Sequence, residues 1–252
     1  MTTKRSLRFA APAWVLVALF LVLCPIQAMA EIPDTFTNLK VFPQDIGKRQ
    51  LLGAMRDFST SLGVRCTFCH IQREPGEFDS IDWASDELDH KEEARGMMMM
   101  TRNINSELLP AAVGEGEGRV RCITCHRGLE DPRTLNDVLL DTIEENGVEV
   151  GIARYRELRE QYYGSGSYDF SPMVLTSLAE SLAQGKGDMD GAVQILDLGV
   201  EMNPEDVTTH IMRSKVLIFK GDKEGVIASA KKALELDPES QQAREILEQF
   251  DK

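Results

Sequence analysis

The sequence predicts an all-α protein in two parts, a segment built around two C-x-x-C-H motifs and a segment of repeated helices behind it. Three observations carry that expectation. Apolar residues recur at three- and four-residue spacing in most of the longer segments, which is the period of a half-buried helix. The pentapeptide pattern C-x-x-C-H occurs twice, at 66–70 and 122–126. The last third of the chain aligns with itself at an interval of 34 residues.

Residues 1–30 read as a secretory signal rather than as part of the fold. Lys4, Arg5 and Arg8 precede the apolar run "AWVLVALFLVLC", and "AMA" ends at Ala30. A basic start, a short apolar stretch and an A-x-A ending describe a cleavable export signal, with cleavage expected after Ala30. The alternative is an uncleaved anchor. Cys24 follows Leu23, which ranks a lipoprotein site lower still. The mature chain is then expected in the periplasm. Removing the signal takes three positive charges and no acid, so the formal net charge moves from -13 to -16. Such a chain lacks the clustered Lys and Arg that phosphate backbones require, which argues against nucleic acid as a partner.

The mature chain keeps four cysteines, Cys66, Cys69, Cys122 and Cys125, and every one falls in "VRCTFCH" or "VRCITCH". Exported cysteines usually suggest disulfides, but this spacing has another use. Two cysteines three apart can form thioethers to the two vinyl groups of one haem, and the next histidine can then bind the iron. Two covalently attached haem c groups are therefore expected, with His70 and His126 as proximal iron ligands. Zinc and redox-dithiol sites are the alternatives. Arg65 and Arg121, placed alike before each motif, are candidates for pairing with haem propionates, or else exposed helix-start residues.

An electron carrier closes the sixth position of its iron, most often with His or Met. Before the first motif, "PQDIGKRQLLGAMRDFSTSLGV" has Leu51, Leu52, Met55, Phe58 and Leu62 on one helical face, with Gly63 suited to a helix stop. Met55 lies on that face, where core packing and iron ligation are both open to it. Before the second motif, residues 86 to about 109 read as a helix stopped by Pro110. In its run of four methionines, Met97 and Met100 share a face with Ile104 and Leu108, within about 80° at 100° per residue. Met98 and Met99 point elsewhere. His90 is a rival ligand near the same face.

"DIGKRQLLGAMRDFSTSLGVRCTFCH", "FDSIDWASDE", "ARGMMMMTRNIN" and "VRCITCHRG" resemble the cytochrome c subunit family of photosynthetic reaction centres, over roughly residues 39–130. In that family a haem unit is a helix carrying a ligand methionine, a turn, and C-x-x-C-H. The resemblance implies Met55 as axial ligand of the first iron and Met100 as that of the second, with Met97 as runner-up. The family's subunits carry four such units and this chain carries two.

Beyond "CHRGLEDP" the sequence turns to helix formers without cysteine. Ile152, Tyr155, Leu158 and Tyr162 mark one amphipathic helix, followed by a Gly/Ser break. Gly187 and Gly221, Ala192 and Val226, and Pro204 and Pro238 are each 34 residues apart. That period and pattern resemble tetratricopeptide repeats, stacked pairs of helices. The expected organisation is a signal at 1–30, a two-haem cytochrome c domain at 31–132 and a tetratricopeptide-like domain at 133–252.

Nine acids lie between residues 71 and 93, against Arg73 and Lys91. They suit either a docking patch for a basic redox partner or a solvated loop. The function expected from all this is periplasmic electron transfer. The partner would be a redox protein or a membrane electron-transfer complex, met through the helical repeats, with membrane association only through that complex. The alternatives are an accessory scaffold subunit of a respiratory or photosynthetic complex, and a two-haem peroxidase with one open iron.

Overall fold

The computed structural model describes residues 32–251, so the signal segment and the expected cleavage point after Ala30 lie outside it. The structure is 65% helix, and one two-stranded ribbon makes the fold mostly helical rather than strictly all-α. Contacts divide the chain into two units. One holds the described chain up to Lys48 with Thr67–Gly96; the other holds Arg49–Cys66 with Met97–Lys252.

In the first unit, β1 (Ile71–Gln72) pairs antiparallel with β2 (Ile81–Asp82). The loop between them turns at Glu74–Gly76, where Gly76 takes φ +87°, a conformation that costs glycine little because it has no Cβ. Ser80 closes the loop by hydrogen bonding to the carbonyls of Glu74 and Glu77. Five of the nine acids expected as a docking patch are paired within the unit. Arg73 holds Asp82 and Glu87; Arg95 and Lys40 hold Asp86 and Glu92; His90 meets Glu93 at 3.3 Å. Part of that negative charge is thus paired inside the unit, although Glu87, Glu92 and Glu93 stay exposed.

The helices follow in chain order. α1 (Lys48–Leu62) ends at Gly63, φ +71°, as its sequence predicts. α2 (His90–Asn103) starts four residues later than expected, and Pro110 does not stop it. A π turn over Ile104–Leu108 follows directly, and then α3 (Leu109–Val113) with Pro110 in its first turn. The correction has a physical reason. Proline has no N–H and crowds the preceding turn, and widening that turn by one residue relieves both effects. The Leu109 N–H accordingly reaches Ile104 O, five residues back.

α4 (Cys122–His126), α5 (Leu135–Asn146), α6 (Val148–Tyr162) and α7 (Pro172–Glu180) precede a second π turn, Ser181–Lys186. α8 (Met189–Met202), α9 (Val207–Lys220), α10 (Lys223–Leu236) and α11 (Gln241–Phe250) complete the unit. Local geometry repeats at the interval seen in the sequence. Gly187 and Gly221 both take left-handed φ, +70° and +75°. Asp188 and Asp222 both cap the next helix by accepting the N–H three residues on, at 2.8 and 2.9 Å. Each helix packs on the next from α7 through α11.

The buried core lies almost wholly in these later helices. Leu135, Leu139, Tyr155, Leu158, Leu175, Leu178, Ile195 and Leu196 anchor one cluster. Leu217, Val226, Ala230 and Ile246 form another. Among the described residues before 133, the buried hydrophobics are Leu51, Ile81 and Leu129 alone.

Candidate haem sites

The second C-x-x-C-H forms the short helix α4. Its start is fixed by Thr124, whose hydroxyl accepts the Arg121 N–H at 3.0 Å while the Thr124 N–H returns to Arg121 O. Its end is fixed by two successive residues at positive φ, Arg127 (+51°) and Gly128 (+85°). That turn folds the chain back over His126. The buried imidazole places Nδ1 2.9 Å from Leu129 O and 3.0 Å from Glu130 O. A carbonyl only accepts, so Nδ1 carries the proton and Nε2 keeps its lone pair. That tautomer, oriented by a backbone carbonyl, is the form in which histidine binds a metal.

His70 reaches the same state by another route. Its Nδ1 lies 3.2 Å from Trp83 O, thirteen residues downstream. The ribbon register pairs Ile71 with Asp82, so the residues next outward are His70 and Trp83. The indole also meets the imidazole edge-on, with centroids 5.0 Å apart, and it packs on Phe78 as well. Burial, and after it the charge of Lys91, pushes the His70 imidazole down to about 4, which keeps it neutral and able to ligate at ordinary pH.

The four cysteines form no disulfide. Burial, and then the carboxylate of Asp57, raises the Cys122 thiol, which disfavours the thiolate that zinc binding or dithiol exchange would use. Among the described residues, no group of three or more His, Cys, Asp or Glu side chains is placed to hold a metal ion. The donor set fits haem better: an imidazole whose Nδ1 faces a backbone carbonyl follows each cysteine pair. The apolar surface fits as well. Met97, Met99, Met100, Leu108 and Ile123 are all exposed, and neither α2 nor α3 has a buried residue. A flat apolar macrocycle would cover such surface at about 25 cal/mol per Å².

Of the expected axial ligands, Met97 and Met100 lie in the same unit as His126, and both are exposed, at 39% and 45%. Exposure therefore does not choose between them. Met55 is half-buried on α1, in that unit, whereas His70 belongs to the other. His90 stacks on Phe68, inside the first motif, with centroids 4.0 Å apart. This places the rival ligand beside the first motif.

Two positioning residues escaped the sequence reading. Asn105 clamps the backbone that leads into the second motif. Its Oδ1 accepts the Val120 N–H at 2.8 Å, and its Nδ2 donates to Val120 O at 2.7 Å and Thr101 O at 2.9 Å. The stretch carrying Met97 and Met100 is thereby tied to the chain entering Cys122. Asp57 on α1 pairs with Arg121 at 2.7 Å, so that arginine already has a carboxylate partner in the chain. The Gly128 N–H also reaches Ser61 O at 2.8 Å, which ties α1 to the turn behind His126. The only sequence signal for these ties was the "NIN" and "RG" flanking the helix and motif.

Among the described residues, no helix is long and apolar enough to cross a membrane. No curated protein matches the chain. A family model does match part of it, over residues 77–174, and that stretch contains the second C-x-x-C-H and runs on through α5 and α6. The sequence resemblance over 39–130 shares the portion from 77 onward. Proteins of the matched family bind c-type haem and transfer electrons. Residues 77–174 thus match the model of the photosynthetic reaction centre cytochrome c subunit family, over less than half of the chain.

Proposed function

We propose that the chain is a two-haem c-type cytochrome that carries electrons in the periplasm. One observation supports this above the others: both C-x-x-C-H histidines give their Nδ1 proton to backbone carbonyls and so keep Nε2 for a metal. Bound haem c supplies one-electron chemistry at its iron. The chain supplies everything else. Cys66 and Cys69 anchor one group and Cys122 and Cys125 the other, while His70 and His126 bind the irons. Met55 and Met100 close the sixth positions, with Met97 the alternative to Met100. Met closure raises the potential and denies peroxide an open site.

The cytochrome domain spans 31–132 in this reading, and the helices of 133–252 form a tetratricopeptide-like domain. The 34-residue recurrence of left-handed glycines and aspartate caps supports that second assignment. Those helices dock the cytochrome on a redox partner or membrane electron-transfer complex. The family match covers the second motif and not the first, so the haem count is the decisive test. Redox-titrated optical and EPR spectroscopy of the exported protein should give two low-spin haems per chain. One haem, or a high-spin haem that turns over peroxide, would sink the reading.

A further inference from the structure

The two histidines have opposite hydrogen-bond surroundings. His126 offers one N–H to two carbonyls, at 2.9 and 3.0 Å. At His70 one carbonyl serves two donors. Trp83 O accepts from His70 Nδ1 at 3.2 Å and from the Lys91 ammonium at 2.9 Å. Lys91 is anchored there by a second bond, to Ser85 O. The cation is the closer and stronger donor, so it draws the oxygen's electron density toward itself. The His70 N–H is left with a weakened acceptor.

An imidazole whose N–H is strongly engaged gains anionic character and donates more strongly to iron, which favours the oxidised state. One whose N–H is weakly engaged donates less, and a nearby positive charge further favours the reduced state. The acids near His70 act in the opposite sense. Asp82 and Glu87 are held by Arg73, however, and Asp86 by Arg95 and Lys40, so Lys91 acts on the ring carbonyl against a largely compensated background.

Resting on the two-haem reading above, we propose that Lys91 is a positioning residue that acts through the Trp83 carbonyl to raise the potential of the His70 site above that of the His126 site. An electron entering the protein then settles at the first motif. When one electron passes from the second site to the first, the His126 iron is oxidised from ferrous to ferric and the His70 iron is reduced from ferric to ferrous.

The test is a redox titration of the holoprotein against Lys91→Met and Lys91→Arg, with haem counted in each by the pyridine haemochrome. A variant carrying Cys66→Ser and Cys69→Ser identifies the first site, because its wave is the one that disappears. In the wild type that wave should be the one at higher potential. Lys91→Met should lower it by a tenfold change in electron partition, 59 mV for one electron, and leave the other wave in place. Lys91→Arg, which keeps the cation, should restore most of the shift. A first-site wave already at lower potential in the wild type overturns the proposal. So does a Lys91→Met variant that moves neither wave, or both equally, at two haems per chain. A wild-type count other than two overturns the two-haem reading itself, and the proposal with it. If Lys91→Met fails to accumulate, Lys91→Gln removes the charge with a polar side chain, and the same outcomes apply.

Discussion

Gly63 shows how little freedom a single position can have. Its φ of +71° disfavours any side chain, and a Cβ there would lie 2.2 Å from Gly128 O, inside the turn that orients His126. Left-handed backbone alone costs an alanine about 1–2 kcal/mol, and the overlap falls on backbone that cannot step aside without disturbing the carbonyls on His126. Gly63→Ala should therefore destabilise the protein by about 2 kcal/mol or more, measured by denaturant unfolding. It should also disturb the second haem's spectrum more than a surface glycine substitution such as Gly53→Ala, where a Cβ meets nothing within 4 Å. The methionine run poses a question of the same scale. Met97 and Met100 are both exposed on α2, so ligation must be read from spectra. Met100→Ala should abolish the sulfur-to-iron charge-transfer band of one ferric haem, and Met97→Ala should leave it. The reverse pattern would move the ligand back one turn.

At the scale of elements, the end of α2 runs through the π turn into α3, and Asn105 fastens that stretch to the second motif. The expectation of a helix from 86 stopped by Pro110 missed this. Sequence rules treat proline as a terminator, and they do not register that a preceding π turn can absorb its missing N–H. The same turn places Asn105 against Val120. Asn105→Ala removes three hydrogen bonds and leaves the two Val120 backbone groups to find water, a loss of about 1–3 kcal/mol. The variant should keep its cysteine attachments but show a second haem whose axial methionine is lost more readily on warming. An unchanged melting temperature and unchanged ligation would show the clamp to be idle. The repeat helices were more legible. Glycine and aspartate at 34-residue spacing state both a helix end and the next helix start.

At the scale of the whole molecule, the distribution of the core is the main physical fact. Residues 135–246 hold nearly every buried hydrophobic side chain, whereas the described chain before 133 buries only Leu51, Ile81 and Leu129. A segment so poor in core needs another source of buried apolar surface, and on the proposed function covalent haem would supply it. Replacing all four motif cysteines with serine should therefore unfold the two parts unequally. Hydrogen exchange should find amides before 133 unprotected while α7–α10 keep most of their protection. Equal protection in both would mean that the first part folds on its own side chains.

The sequence by itself determined the motifs and the period. Cysteine and histidine spacing along one turn is a local property, and so is a 34-residue recurrence, and neither needs a third dimension to be read. Only the tertiary structure decided what stands behind each imidazole. Trp83 reaches His70 because a two-residue ribbon has one register, and Lys91 shares that carbonyl because α2 begins at His90. At His126 two left-handed residues bring the carbonyls back within four positions. The motifs are almost identical in sequence, but hydrogen bonds are made across space. The partners of an imidazole depend on where the following chain returns, and that is set by turn geometry and strand register outside the motif.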